Sequence, residues 1–372
     1  MKTNKVLNVY YNGNLVGILA STKTHKIAFQ YDSDWLKNGF SISPISLPLK
    51  KGLFIPKNFN FDGLFGVFYD SLPDAWGRLL LEKYLKSLGV KEEISQLDRL
   101  SIVGKNGMGA LVYKPTSLNY FIKKGVDLDE ISKTIEKLLN KQFVENIDEL
   151  YKMGGTSGGA RPKVLINYNE EEWIVKFKSP FDDSDVGVME YEYMRCAEKC
   201  GINIPEINLF DSKVCEGYFG IKRFDIENEN RVHMISAAAL LEANYKQPVG
   251  DYIDLMKLTQ FLTNSKTDIE QLFKRMCFNV FAKKMDDHLK NFSFIYCEKE
   301  RRYELSPAYD LTYSPTYYYE HTTSINGKGK NIKLEDLIEV GVMFGLSKEK
   351  CEKIALMIES HVKQDLNKYI NK

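Results

Sequence analysis

The 372-residue sequence lacks an excess of either charge: it carries 51 Lys and Arg against 50 Asp and Glu, a net charge of +1. A chain without a basic or acidic excess has no global electrostatic signature of a nucleic-acid or membrane-surface binder. It also lacks an uninterrupted apolar run of about 18 residues, and its first residues contain no apolar segment of the signal-peptide type. We therefore expect a cytoplasmic protein without a membrane segment.

Cysteine pairs of the Cys-x-x-Cys type are absent as well. The six cysteines include Cys196 and Cys200, whose spacing places both on one face of a helix rather than in a usual zinc knuckle. Free thiols in a reducing compartment are the expected state. With 44% hydrophobic and 27% charged residues, the composition is that of a packed protein, and the length predicts two or three domains.

The order of predicted elements divides the chain into residues 1–118, 119–225 and 226–372. In the first part, alternation around Asn12-Gly13-Asn14 predicts a β-hairpin, and further strands are expected at 26–31 and 41–47. Pro73 and Asp74 open an amphipathic helix that ends at Gly89, and the Asp74 carboxylate would suit its positive end. This part is therefore expected to be rich in β-structure.

The second part begins with polar helices, followed by the glycine-rich segment 153–163 and two strands joined at 167–172. A helix at about 188–200 and strands at 206–211 and 217–223 complete it. After Asp225, apolar residues at helical spacing predict a largely helical part, with helices at 236–243, 253–263, 267–285, 333–340 and 347–370.

The densest polar cluster is Asp286-Asp287-His288-Leu289-Lys290-Asn291, which lies between an apolar helix and an apolar strand. A phosphotransferase needs a carboxylate that receives the proton of the attacking hydroxyl, and an amide or carboxylate that holds Mg²⁺. Asp286 and Asn291 have the spacing of the catalytic Asp and the Mg-binding Asn in kinases. The alternative is an Asp-rich turn that caps the helix ends.

Three further segments fit the same chemistry. Asp310, 24 residues after Asp286, has the place of a second metal-binding carboxylate, although it could be part of an ordinary Pro-containing turn. Glycines 154–159 could bring backbone N–H groups to phosphates or form a flexible turn. Lys176 in an apolar strand and Glu190 in the next helix match the kinase Lys–Glu pair, unless Lys176 only extends its amine into water.

These segments together resemble the HipA-like serine/threonine kinases, the toxin halves of bacterial two-gene toxin–antitoxin modules. The resemblance covers nearly the whole chain and depends on SLPDAWGR (71–78), GGTSGGARPK (154–163), WIVKF (173–177), MEYEYMRCAEKCGINIP (189–205), GIKRFD (220–225), MDDHLKNFSF (285–294), LSPAYDL (305–311) and HTTSINGKGKN (321–331). It implies an α+β, bilobal protein-kinase-like fold with a β-rich N-terminal subdomain and an all-helical C-lobe.

The resemblance also implies roles for individual residues. Asp286 would be the general base, Asn291 and Asp310 would hold Mg²⁺, and Glu190 would pair with Lys176. ATP would be bound by Gly158, Gly159, Ala160, Arg161, Lys163, Lys176, Lys222, Phe224, Asp225, His288, Lys290 and Tyr309, with Lys222 and Phe224 at the adenine and Asp225 near the ribose.

The sequence departs from the family pattern at two places. Family members phosphorylate a serine at the start of the glycine loop, where this chain has Thr156 followed by Ser157. The position after the catalytic Asp is often Gly in the family and is Asp287 here. The two adjacent carboxylates could exchange roles, and the spacing to Asn291 favours Asp286.

The resemblance implies transfer of the ATP γ-phosphate to Ser or Thr of a protein substrate, with an aminoacyl-tRNA synthetase as an example. The expected partner is a small helix-turn-helix antitoxin of the HipB type, through which any contact with DNA would be indirect. Two other functions remain open at this point. One is a nucleotide-binding co-repressor subunit without catalysis, and the other is a small-molecule kinase.

Overall fold

A computed structural model describes residues 4–90, 94–117, 125–156, 158–227, 230–244, 247, 250–316 and 318–371. The chain forms two compact units. The first comprises Met1–Gly187, Asn208–Ile235 and Ala239–Glu242, and the second comprises Val188–Ile207, Ser236–Ala238 and Ala243–Lys372. The predicted division into three segments, with boundaries at residues 118 and 225, stays a prediction. The two compact units are each made of several separate stretches of the chain, so they do not test those boundaries.

The first unit starts with a four-stranded antiparallel sheet of order β3-β2-β1-β4. Its elements are β1 (Val6–Tyr11), β2 (Asn14–Ser21), β3 (Ile27–Tyr31), α1 (Ser33–Asn38), α2 (Gly66–Tyr69), α3 (Ala75–Ser87), α4 (Gln96–Val103) and β4 (Leu111–Lys114). The predicted hairpin is confirmed, with Asn12 and Gly13 both at positive φ in its turn.

One strand prediction in this region is wrong. Residues 41–47 form no strand, and an isolated bridge joins Ser43 to Leu47. Pro44 and Pro48 explain this result, since proline has no N–H to donate to a strand ladder.

The chain continues through α5 (Leu128–Leu139), α6 (Ile147–Gly154), β5 (Lys163–Tyr168), β6 (Glu171–Lys176), α7 (Val186–Lys199), β7 (Ile207–Phe210), β8 (Tyr218–Lys222), β9 (Ile226–Glu227), β10 (Asn230–Arg231) and β11 (Met234–Ser236). Strands β5 to β8 form a second sheet of order β5-β6-β8-β7. Its core face packs against α3, α5 and α6 through Trp76, Leu80, Ile135, Tyr151, Val164, Trp173 and Val175. This packing joins the predicted glycine-loop hairpin to the N-terminal part of the unit.

The described residues of the second unit are mostly helical and include the β-hairpin of β12 and β13. Its elements after α8 (Ala237–Leu240) are α9 (Tyr252–Thr263), α10 (Lys266–Phe281), a 3₁₀ turn (Leu289–Asn291), β12 (Ser293–Cys297), β13 (Arg302–Leu305), α11 (Leu334–Met343), α12 (Lys348–Asp365) and α13 (Asn367–Ile370). Helix α10 ends earlier than predicted, because Lys283 adopts a positive φ. The fold class is confirmed: a mixed α and β protein with a β-rich N-terminal region and a helical C-terminal region.

Within the described residues, no helix combines the length and apolar character that a membrane crossing requires.

The buried His233 makes the stability of the first unit depend on pH. Its Nε2 lies 2.9 Å from the Ile42 carbonyl oxygen, and burial lowers its pKa to about 4. A histidine in the unfolded chain has a pKa near 6.5. On acidification the unfolded state therefore binds a proton at a higher pH than the folded state does, which lowers the free energy of unfolding. We predict that the contribution of the neutral His233 to the free energy of unfolding is fully present above pH 6.5. It should fall by about 3 kcal/mol as the pH falls to about 4.

Urea unfolding followed by tryptophan fluorescence measures this effect, since all three tryptophans, Trp35, Trp76 and Trp173, lie in the first unit. In His233→Gln the amide can still donate to Ile42, and this part of the pH dependence should disappear. His25→Gln, at an exposed histidine of the same unit, should retain it. Equal pH dependence in all three proteins would contradict the prediction.

Candidate active site

The segment between α10 and β12 contains the predicted catalytic loop. Backbone bonds hold its start: Met285 N and Asp286 N donate to the Ser314 carbonyl oxygen, over 3.0 and 3.3 Å. At its end, Asn291 N donates to the His288 carbonyl oxygen over 2.9 Å, which closes the 3₁₀ turn. The loop therefore has a fixed path within the second unit.

Asp287 is completely buried, and its carboxylate accepts three hydrogen bonds. The donors are the Tyr252 hydroxyl at 3.0 Å, His321 Nδ1 at 2.8 Å and the Thr323 backbone N–H at 3.0 Å. The Thr323 hydroxyl donates to the Asp287 carbonyl oxygen, and Asn279 Nδ2 donates to the Tyr252 hydroxyl. A buried carboxylate with this many donors is a structural group, because each donor offsets part of its desolvation.

Asp286 has the opposite environment. Its side chain is 58% exposed, while its backbone carbonyl oxygen accepts a bond of 2.8 Å from Asn291 Nδ2. The bond fixes the Asn291 amide, whose Oδ1 is left as the group able to accept a cation. Of the two adjacent carboxylates, Asp286 is the one that a substrate could reach.

His288 lies beside the exposed carboxylate of Asp286. Its Nε2 is 4.0 Å from Asp286 Oδ1. Burial lowers the pKa of His288, Lys284 reinforces the effect, and the charges of Asp286 and Asp310 oppose it. The imidazole is thus favoured in its neutral form.

Lys284 is a functional candidate that the sequence reasoning missed. The side chain is buried, and its ammonium donates to the Asp286 carbonyl oxygen. A positive charge is thereby held against the backbone of the predicted catalytic loop. The sequence contained a signal for this role, since Lys283 and Lys284 follow an apolar stretch directly before the polar cluster.

Tyr309 joins the two predicted catalytic segments. Its hydroxyl donates to the Lys290 carbonyl oxygen over 2.7 Å and lies 2.6 Å from the Ser293 hydroxyl. The next residue, Asp310, adopts a positive φ of 54°. The β12–β13 hairpin and this bond hold the loop of Asp310 against the loop of Asn291.

The oxygen atoms of Asn291 and Asp310 fit a magnesium ion by their chemistry. Mg²⁺ binds carboxylate and carbonyl oxygens, keeps several waters and shares phosphate oxygens with its nucleotide. No group of three His, Cys, Asp or Glu in the described part of the chain is spaced to hold a metal by itself. A metal here would therefore depend on nucleotide and water for its remaining ligands.

The predicted glycine-rich loop belongs to the first unit and is bound to the start of α3. Gly159 N–H donates to the Asp74 carboxylate over 2.9 Å, and Trp76 N–H donates to the Gly159 carbonyl oxygen over 3.3 Å. Thr156 is buried within the loop, and Ser157 lies outside the described residues. The Asp74 carboxylate does not cap its own helix as predicted, because it is directed to the loop.

Lys163 and Lys176 face each other across the β5–β6 pair. They share the sheet face opposite to Val164 and Val175, which point into the core. Lys163 is buried, and the Lys176 ammonium lies 5.7 Å from the centre of the Phe219 ring. The two lysines therefore share the face of the strand pair that is turned away from this core.

The predicted hinge residues follow β8. Lys222 ends the strand and pairs with Glu171, and Phe224 is half-buried. Asp225 is fully buried: it pairs with Arg223 at 2.7 Å and accepts a 2.6 Å bond from Gly109 N–H. Burial alone would raise the pKa of Asp225, but Arg223 holds it below its usual range. Contact of Asp225 with ribose stays a prediction that would require this ion pair to open.

The remaining predicted residues fall in both units. Arg161 in the glycine loop pairs with Asp182 at 3.2 Å, and Gly158 and Ala160 belong to the same loop. Glu190 is buried on α7 in the second unit, whereas Lys176 lies in the first unit. The Lys176–Glu190 pair stays a prediction.

Comparison with known proteins identifies two families of domain. Residues 155–366 match the HipA-like C-terminal domain, and residues 7–114 match the HipA N-terminal domain. Both candidate loops, that of Gly159 and that of Asp286, lie within the first of these matches.

Two individual relatives agree with this. Y4dM of Sinorhizobium fredii, a kinase by inference, is 32% identical over 168 residues, and the match spans 41% of this chain and 40% of that relative. A chain from the solved Shewanella oneidensis toxin–antitoxin complex of HipA, HipB and operator DNA has the same fold. Its TM-score is 0.72 at 20% identity, over 98% of this chain and 91% of that chain. Because the C-terminal domain match alone spans more than half of its length, the chain belongs to the HipA family.

Proposed function

We propose that this protein transfers the γ-phosphoryl group of ATP to a Ser or Thr hydroxyl of a protein substrate. The observation that carries the proposal is the contrast between Asp286 and Asp287. The loop buries the Asp287 carboxylate and leaves the carboxylate of the preceding residue, Asp286, exposed. Asn291, five residues after Asp286, is oriented by its bond to the Asp286 carbonyl oxygen. A turn that merely capped helix ends would have no need of this arrangement.

In this reaction Asp286 accepts the proton of the attacking hydroxyl. The hydroxyl oxygen forms a bond to the γ-phosphorus, the bond from that phosphorus to the β–γ bridging oxygen breaks, and ADP leaves. Asn291 and Asp310 would hold the magnesium ion, which when bound neutralises charge on the phosphates. Asp286 is the exposed carboxylate of this loop and is the proposed base.

The first unit supports the nucleotide part of the proposal. Lys163 and Lys176 present two ammonium groups on one sheet face beside the glycine-rich loop. Two fixed cations next to backbone N–H donors are suited to the phosphates of ATP.

Family membership supports the finer points of the proposal. The substrate would be a protein, with an aminoacyl-tRNA synthetase as the example, and the partner a small HipB-type antitoxin that brings DNA contact indirectly. Autophosphorylation would modify Thr156 or Ser157. Since Thr156 is buried, its hydroxyl would have to leave its present position to be modified.

The exposed position of Asp286 predicts a catalytic effect without a structural one. Asp286→Asn should lower the rate of phosphate transfer by about three orders of magnitude or more, because the base is lost. The melting temperature should change little, since the side chain contributes no described core contact. Intact mass and phosphosite mapping after incubation with Mg-ATP measure the transfer.

Asp254→Asn is the matched control, because Asp254 is also a half-exposed aspartate of the second unit. It should behave as the wild type. Normal phosphorylation by Asp286→Asn would remove the assignment of the base. A wild type that binds ATP but gains no phosphate, even after phosphatase treatment, would favour the co-repressor, and a phosphorylated metabolite would favour the small-molecule kinase.

The buried Asp287 predicts the reverse outcome. Asp287→Ala should destabilise the second unit by about 3 kcal/mol, because Tyr252, His321 and Thr323 lose their common acceptor in a buried place. Thermal unfolding by circular dichroism checks this. An Asp287→Ala protein as stable as Asp286→Asn would show that the buried network contributes no net stability.

The paired lysines predict a defect in nucleotide binding. Lys176→Met keeps most of the apolar stem and removes the charge, and we expect the Kd for ADP to rise about tenfold. Calorimetric titration of the purified protein measures it. Lys178→Met, two positions further along the chain, is the control and should bind ADP as the wild type does. Equal affinity of Lys176→Met and wild type would exclude Lys176 from the phosphate site.

A further inference from the structure

The start of α3 is hydrogen-bonded to the glycine-rich loop through the backbone N–H and the backbone carbonyl oxygen of Gly159. Gly159 donates its N–H to the Asp74 carboxylate and accepts a bond from the Trp76 N–H. The Trp76 indole also donates to the Lys163 carbonyl oxygen over 2.8 Å. Three hydrogen bonds therefore join α3 to the stretch from Gly159 to Lys163.

Asp74 occupies the N-cap position of α3, but its side chain makes no cap bond to its own helix. Its carbonyl oxygen still accepts the bond from Arg78 N–H that starts the helix. An N-cap aspartate normally uses its carboxylate on the second or third N–H of its helix. Here the Asp74 carboxylate and the Trp76 backbone N–H both bind Gly159 of the loop instead.

Gly159 is suited to this docking, and few other residues would be. It adopts a φ of +86°, a backbone conformation that residues with a Cβ rarely adopt. A loop of this composition has a high conformational entropy when it is free. It keeps one conformation when external groups bind its backbone, and α3 supplies those groups.

The docking also changes which N–H groups are available to a phosphate. The Gly159 N–H is already donated to a carboxylate, so a phosphate could receive it only after this bond breaks. Gly159 is therefore an anchor of the loop rather than one of its phosphate donors.

We propose that Asp74 is a positioning residue for nucleotide binding: through Gly159 it holds the glycine-rich loop in the conformation that receives the phosphates. The N-terminal part of the first unit thereby takes part in the reaction of the C-terminal domain. The nucleotide half of this inference rests on the proposed function, whereas the anchoring half does not.

Two measurements on the full chain test the two halves. Hydrogen–deuterium exchange of peptides that cover Gly159 to Lys163 reports the anchoring without nucleotide. Calorimetric titration with ADP reports the binding. In Asp74→Ala, we expect about tenfold faster exchange of these amides and an about tenfold higher Kd for ADP. The kcat at saturating ATP should fall much less than kcat/KM.

Asp74→Asn retains a side-chain oxygen that can accept the Gly159 N–H, and it should restore exchange and Kd to within about threefold of the wild type. Trp76→Phe keeps a buried ring and removes the bond to Lys163, and it should accelerate exchange on its own. Asp32→Ala is the matched control, since Asp32 caps its own helix α1 with a 2.9 Å bond. It should leave both readouts unchanged.

Unchanged exchange in Asp74→Ala would overturn the anchoring. Tighter ADP binding by Asp74→Ala would overturn the positioning role, because the carboxylate would then compete with phosphate. If the wild type binds no ADP while the exchange results hold, the proposed function and the nucleotide half fail together, and the anchoring stands.

Discussion

The loop that is predicted to be catalytic depends on the complete burial of Asp287. A carboxylate can be buried only where donors replace its water, and here three donors come from two places in the chain, Tyr252 on α9 and the segment of His321 and Thr323. Once they hold Asp287, its neighbours Asp286 and His288 have little freedom left. The exposed direction of the Asp286 side chain is thus a consequence of where its neighbour is bound.

The glycine-rich loop meets the same need for order by other means. It has few side chains with which to anchor itself, and each glycine increases the entropy lost when the loop is fixed. The start of α3 compensates for this by binding the backbone of Gly159 with Asp74 and Trp76. One loop is therefore fixed by a buried charge and the other by the polar groups of a helix terminus.

Local patterns were enough to predict the Asn12-Gly13 hairpin and the start of α3 after Asp74. The error at 41–47 was also local, since Pro44 should have excluded a strand. The sequence could not show that Asp287 rather than Asp286 is buried, because the partners that decide this are 34 to 36 residues away. Contacts at such separations leave no periodic pattern in a sequence.

Each unit holds part of the residues that the proposed function uses. The first supplies the glycine-rich loop with Lys163 and Lys176, which suit an anion, and the second supplies Asp286 and Asp310, which suit a proton and a cation. A phosphate brought to the carboxylates alone would be repelled, and one bound by the lysines alone would have no base. Order in the glycine-rich loop before binding, as proposed for Asp74, reduces what remains to be ordered when nucleotide binds.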